Sequence, residues 1–361
     1  MMKKLKCLIE KIHIKKKLFT SKSFFKKSLY WCARLFSPLK KTVYIIGCPE
    51  YSNLGDNAIL VAMINFLKKS GVAPKNIKCI TEKEFLSDHQ IIRQWIGKKK
   101  LICGLGGGNM GNQYYSEEKI RRIILKDFEA NPVVIFPQTI YYGGVNRQAE
   151  AEYSADFYNG KQNLTMVARE KKSWEMMKQL YPDTTVLLTP DIVLSCTMRD
   201  YGVSLKQRNG TLLCLRNDAE KQISNSDVNP IRDEFEKIGM TCYDTDMHSL
   251  TPITNDNRED QVKQKMQEFA GAKIAITDRL HGMIFAALTE TPCIVFDNYN
   301  HKVKGTYEWI RHLPYIKHVE SVEEALKYIP ELLEMSDCKY DNSTLLPLYD
   351  PIKEEILKHY N

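Results

Sequence analysis

Arg279 and His281 stand together in TDRLHGM (277–283), between the apolar runs KIAI and IFAAL. A guanidinium and an imidazole at the end of a hydrophobic strand are costly to place unless they bind something. Arginine offers a planar fork that fits a carboxylate or a phosphate. Histidine gives or takes a proton near neutral pH. Arg169 occupies the same kind of position in LTMVARE (164–170), beside Glu170. It either grips an anion together with Arg279 or forms a buried ion pair with Glu170 or Asp191. Asp278 either caps the following helix or pairs with Arg279 or Arg169.

Three further segments carry polar groups of the right kind. GLGGGNMGN (104–112) follows an apolar strand. Gly107, Gly108 and Asn109 in such a loop would let a ligand approach the backbone and meet free N–H groups. The loop has neither the GK[ST] of a P-loop nor the dinucleotide spacing. In SNLGDNAIL (52–60), Asn53 and Gly55 shape a turn. Asp56 either caps the helix that follows or faces a cleft and takes a proton from an acceptor hydroxyl. Asp244-Thr-Asp246 spells DxD, a metal and nucleotide-sugar motif. Three residues match easily by chance and the strand–loop context is incomplete, so no metal is expected.

These segments need elements to hold them. TVYIIGCP (42–49), IKCIT (77–81), the run ending LICG (101–104), NPVVIFPQTI (131–140) and LTMVA (164–168) are short β-branched runs and predict strands. AILVAMINFLKKSG predicts a helix closed by Gly71. SEEKIRRIILKDFEA predicts a helix with Ser116 at its N-cap and Glu117 and Glu118 in its first turn. KKSWEMMKQLYP predicts the next helix. VLLTPDIVL and the polar run MRDYGVSLKQRNG follow, and the domain boundary is placed near 195–210. TLLCLR opens the second half as a strand. NPIRDEFEKIGM and VKQKMQEFAGA predict helices, 273–298 predicts strand–loop–helix–strand, and HVESVEEALKYIPELLEM predicts a helix. Strands alternating with helices imply parallel sheets built from βαβ units. The expected fold is α/β, two Rossmann-like domains facing a cleft, over 41–200 and 201–361. Ligands in such sheets bind beyond the carboxyl ends of the strands, where SNLGDNAIL, GLGGGNMGN, the end of LTMVARE and TDRLHGM fall.

The 361 residues are 43% apolar and 10% aromatic, enough for a sizeable core. No run of about 18 uncharged apolar residues occurs, and the basic start lacks a continuous apolar stretch and a cleavage site. A cytoplasmic protein is expected. The ten cysteines are scattered, with no CxxC pair, and read as reduced core residues. Residues 1–40 carry a net charge of +11 against +8 for the whole chain, which leaves −3 over 41–361. This basic N-terminal extension interleaves lysines with Phe24, Phe25, Trp31 and other apolar residues. It suits the anionic inner face of a membrane or packs on the body as a helix. No nucleic-acid recognition module accompanies it.

NLGDNA (53–58), GGGNMG (106–111), PQT (137–139), ARE (168–170), TPDIVL (189–194) and TDRLHGMIFAALTETP (277–292), in this order, resemble the polysaccharide pyruvyl transferase family. The resemblance covers roughly residues 43–310. It implies a GT-B-like two-domain fold, phosphoenolpyruvate as donor, a pyruvate ketal on an oligosaccharide or lipid-linked glycan as product, and no metal or other cofactor. It places Arg169, Arg279, Leu280 and His281 in the donor site. A GT-B-like glycosyltransferase using a nucleotide sugar is the alternative, since it would share the cleft, the glycine loop and a cation for diphosphate.

Overall fold

The computed structural model describes residues 41–205, 207–216, 225–298 and 300–360. The basic extension, and the membrane-surface reading attached to it, lie outside them.

The first half runs β1 (Val43–Cys48), α1 (Leu54–Lys69), β2 (Ile77–Thr81), α2 (Glu82–Ile96), β3 (Leu101–Gly104), β4 (Gly107–Gly111), α3 (Tyr115–Asp127), β5 (Val133–Tyr141), α4 (Arg147–Tyr158), β6 (Leu164–Ala168), α5 (Lys171–Leu180) and β7 (Thr185–Leu188). The second runs β8 (Thr211–Cys214), α6 (Asn225–Lys237), β9 (Cys242–Thr245), α7 (Arg258–Gly271), β10 (Ile274–Thr277), α8 (Leu280–Leu288), β11 (Cys293–Phe296), α9 (Lys302–Ile310), β12 (Ile316–Val319) and α10 (Val322–Glu334). A last helix, α11 (Asp350–Tyr360), returns to the first half. There its Tyr360 hydroxyl accepts from Ala73 N at 3.2 Å and Asn76 Nδ2 at 2.9 Å.

Every ladder is parallel. The first sheet has the order β2-β1-β3-β5-β6-β7, with β4 beside β5 beyond the end of β3; the second has β12-β11-β10-β8-β9. Both share one topology. The opening strand lies inside the sheet, and the chain winds first to one side of it and then to the other. The crevice between β1 and β3, like that between β8 and β10, is therefore a switch point where ligands bind.

Packing fixes these crevices against each other. Helix α1 is apolar nearly all round, as a helix covered on both sides must be. Its Ala58, Ile59, Leu60, Ala62, Met63 and Leu67 are buried in a core shared with Val262, Met266 and Phe269 of α7 and with Met283 and Ile284 of α8. Backbone bonds stitch the loops after β1 and β9: Leu54 N to Met247 O and Ser249 N to Ser52 O, both 2.8 Å. Buried Arg258 of α7 donates to Pro49 O at 2.6 Å and to Asn57 Oδ1 at 2.8 Å.

Three local expectations change. The glycine segment is not a loop throughout, because Gly107–Gly111 pairs with Gln138–Tyr141 as β4. Helix α3 begins at Tyr115 with Tyr114 at the cap, and Ser116 Oγ turns to Glu117 instead of capping. Within 318–335, His318 and Val319 end a strand, and Ser321 caps α10 by accepting from Glu324 N. Among the described residues the cysteines are unbridged, and Cys48, Cys103, Cys196, Cys214 and Cys293 are core residues.

Candidate active site

A cavity of about 450 Å³ lies where the two switch points face each other. The first half contributes Tyr51, Asn53 and Asp56 after β1, Gly108 and Asn109 of β4, Tyr114 and Glu117 at the start of α3, and Arg169 after β6. The second contributes Arg216 after β8, Met247 and His248 after β9, Arg279, Leu280 and His281 after β10, and Lys302 at the start of α9. The strand-end residues singled out in the sequence thus meet in one place. Gly107 is the exception: it takes part in the β4–β5 ladder opposite Gln138 and does not line the cavity.

Arg169 forms the buried ion pair with Asp191 that its sequence position allowed, and it also lines the cavity. It is 1% exposed, and its Nη1 lies 2.8 Å from Asp191 Oδ2. Its Nε donates to Thr139 Oγ1 at 2.7 Å, while Glu170 is 4.0 Å away. The guanidinium nevertheless reaches the cavity wall, because Gly108 has no side chain. A Cβ there would come within 2.5 Å of Arg169 Nη2. The glycine accommodates the protein's own cation.

Burial alone would raise the Asp191 carboxyl, but the His281 imidazole and the Arg169 guanidinium together hold it well below the usual carboxylate range. His281 Nε2 sits 3.6 Å from that carboxylate, beyond hydrogen-bond length. It has no hydrogen-bond partner among the described residues. The Arg279 guanidinium pairs with Asp246 at 2.6 Å, and the Arg279 backbone N–H donates to Thr277 Oγ1 at 3.0 Å. Asp244 pairs with Arg232. The DxD carboxylates therefore each serve an arginine. Asp278 neither caps α8 nor pairs with Arg169: its Oδ1 accepts from Arg216 N at 2.8 Å, and burial raises its carboxyl.

Asn53, not Asp56, caps α1, its Oδ1 accepting from Gly55 N at 2.9 Å and Asp56 N at 3.4 Å. Asp56 is left to accept from the Tyr51 hydroxyl at 3.1 Å. Enclosure pushes its carboxyl up, although the charge of His281, the Tyr51 hydrogen bond and Arg169 pull the other way. Asn109 is oriented from behind. Arg121 donates to its Oδ1 at 2.8 Å and to its carbonyl at 2.7 Å, and buried Glu118 holds Arg121 at 3.1 Å.

Gly55 supports the imidazole. A Cβ built there would overlap Nδ1 and Cγ of His281. Gly55→Ala is expected to displace the ring and cut turnover, with little loss of helicity. Steady-state rates and circular dichroism check this. Wild-type turnover in the variant would show that the position of the imidazole does not matter.

Sequence reasoning missed Arg216, Lys302, Tyr51, Tyr114, Glu117, Met247 and His248. Arg216 carried a readable signal, since it ends TLLCLR as Arg169 ends LTMVAR. Tyr51 directly precedes the marked segment SNLGDNAIL. Lys302 carried none, because only the packing of α9 brings it to the cavity.

Two parallel α/β sheets of one topology, facing each other across a cationic cavity, define a GT-B-like two-domain protein. Matching of the sequence is more specific. The chain belongs to the polysaccharide pyruvyl transferase family, whose model matches residues 53–301, and it is a transferase by that membership. It is 31% identical to General stress protein 30 of Bacillus subtilis over 319 residues, 86% of this chain and 91% of that protein. It is 28% identical to Pyruvyl transferase 1 of Schizosaccharomyces pombe over 274 residues, 73% of this chain and 67% of that protein. Two solved structures share the fold. One is a protein from Klebsiella pneumoniae with a TM-score of 0.55 and 18% identity, covering 84% of this chain and 100% of that one. The other is the UDP-GlcNAc 2-epimerase of Neisseria meningitidis with a TM-score of 0.50 and 10% identity, covering 88% and 99%. Among the described residues, no helix is long and apolar enough to cross a membrane.

Proposed function

We propose that the cavity binds phosphoenolpyruvate and transfers its pyruvyl group to a sugar of a polysaccharide or its lipid-linked precursor, leaving a pyruvate ketal. One observation carries this reading: Arg169 and Arg279 come from opposite halves of the chain and line one cavity with His281. A donor bearing a carboxylate and a phosphate needs two such forks.

The chemistry asks little more of the protein. A proton added to the methylene carbon makes the adjacent carbon electrophilic. One sugar hydroxyl attacks that carbon and gives up its proton. A second hydroxyl closes the ketal as the carbon–oxygen bond to phosphate breaks, and its proton departs with the leaving inorganic phosphate. His281 supplies the acid, its Nε2 lying 3.6 Å from the Asp191 carboxylate. Asp56 takes the hydroxyl proton. Arg169 and Arg279 bind and orient the donor. Release of inorganic phosphate when phosphoenolpyruvate and an oligosaccharide are supplied together tests the reading, with the ketal identified by NMR. Release of a nucleoside diphosphate from a nucleotide sugar instead would favour the glycosyltransferase alternative.

The enclosure of Asp56 also predicts an inverted stability profile. Its folded pKa lies above the unfolded one. The folded state therefore binds more protons between the two values, and the group costs stability as pH rises through that interval. Asp56→Asn is expected to match wild type below the ordinary carboxylate pKa of about 3.9 and to be the more stable at neutral pH, while losing activity. Urea unfolding at several pH values checks this. A variant less stable at neutral pH than at acid pH, relative to wild type, would contradict it.

A further inference from the structure

The β4–β5 ladder breaks where the cavity begins. Gly107 pairs with Gln138 and Met110 with Ile140, so Gly108 and Asn109 stand opposite Thr139 alone. Such a bulge re-aims a side chain, and both bulged residues line the cavity. The Asn109 amide is not free to turn there. Arg121 Nη1 lies 2.8 Å from its Oδ1, and Arg121 Nη2 lies 2.7 Å from its backbone carbonyl. A guanidinium only donates. The amide atom that faces Arg121 must therefore be the oxygen, and the NH2 group is the end left to meet a ligand.

Arg121 is held in turn by a buried carboxylate. Glu118, in the first turn of α3, is fully buried, and Arg121 is 4% exposed. Glu118 Oε2 accepts from Arg121 Nε at 3.2 Å and from Nη2 at 3.1 Å. Its Oε1 accepts from Arg122 Nε at 2.9 Å and from the Tyr158 hydroxyl of α4 at 3.0 Å. The Arg122 guanidinium lies over the rings of Tyr153 and Phe157, 4.9 Å from each centroid. A charge network this deep is expensive unless it organises something. What stands at its inner end is Asn109.

We propose that Glu118 and Arg121 are positioning residues that fix the polarity of the Asn109 amide, so that this wall of the cavity donates hydrogen bonds to an anionic oxygen of the ligand. The proposal rests on the phosphoenolpyruvate reading above and extends it to side chains behind the cavity wall. An amide free to turn would present its oxygen as readily as its nitrogen, and that oxygen would repel a carboxylate or a phosphate. Setting the amide in advance removes this cost from binding.

Calorimetric titration of phosphoenolpyruvate, with the melting temperature of the unliganded full-length chain beside it, tests the proposal. Asn109→Asp is the decisive variant. One carboxylate oxygen should take the place of Oδ1 before Arg121, where Glu118 alone now serves two guanidiniums, so the chain should melt no lower than wild type. The other oxygen replaces the NH2, and affinity should fall by at least about tenfold, the worth of one charged hydrogen bond. Glu118→Gln together with Arg121→Met removes both buried charges, which proteins tolerate better than the loss of one. This pair should also weaken binding by about tenfold. Adding Asn109→Ala to it should cost little more, since all three act through one amide. Asn109→Asp melting well below wild type would show that Arg121 does not face an acceptor. Losses that add would show that Arg121 does not act through Asn109. Either result overturns the proposal, as does Asn109→Asp binding phosphoenolpyruvate as well as wild type. Wild type that binds no phosphoenolpyruvate would remove the donor reading itself, and this inference with it, whatever the melting temperatures show.

Discussion

Replacing His281 with alanine is expected to lower turnover by about 10²–10⁴-fold, the usual worth of a positioned proton-transfer group, and to leave the fold in place. The ring lies at the start of α8, in van der Waals contact with the backbone at Gly55. It lines an open cavity, so its removal leaves space that water fills and not a dry core void. Asp191 loses one neighbouring charge but keeps Arg169 at 2.8 Å and the Val193 N–H at 3.0 Å. Phosphate release at saturating donor, with circular dichroism beside it, reads the two effects separately. Full turnover by the variant would take His281 out of the chemistry.

Arg169→Met is expected to cost about 3–5 kcal/mol of stability, as removal of one partner of a buried ion pair does, and to abolish donor binding. Asp191 is 1% exposed and sits below the usual carboxylate range in this structure. Its folded pKa lies under its unfolded one, so its contribution is present above the unfolded value and disappears as pH falls through the folded one. The penalty in the variant should therefore be largest at neutral pH and shrink in acid. Adding Asp191→Asn removes the stranded charge and should recover much of the stability, but not the binding. Urea unfolding and donor titration of both variants supply the check. Wild-type stability in the single variant would contradict the ion pair, and donor binding in the double one would contradict the donor role of Arg169.

The strands were legible because parallel strands covered on both faces read as unbroken apolar runs, and VYIIG, LTMVA and IAIT are such runs. Arg169, Arg279 and His281 were legible for the converse reason, as charge at the end of such a run. β4 was hidden because glycine is a poor strand former. It forms because β5, nine residues long, extends past β3 and offers free ladder positions to Gly107–Gly111. Asp246 looked like half of a metal motif. Its partner Arg279 lies 33 positions later, and only the adjacency of β8 to both β9 and β10 brings the loops together. Glu170 was seen as a neighbour of Arg169. Its 3.2 Å contact with His301 depends on α9 docking on the end of β6, which no local spacing encodes.

The proposed donor site is electrostatic: Arg169 and Arg279, beside His281, would hold between the two halves a small anion that bears both a carboxylate and a phosphate. Calorimetric titration of phosphoenolpyruvate into wild type and Arg279→Met tests it most directly. Asp246, 31% exposed, can hydrate when its partner is removed, so the variant should fold. Saturable one-site binding to wild type is expected, with a drop of at least about tenfold in affinity for the variant, a charged hydrogen bond being worth about 1.5–3 kcal/mol. Equal affinity in the two proteins, or no binding to either, would contradict it.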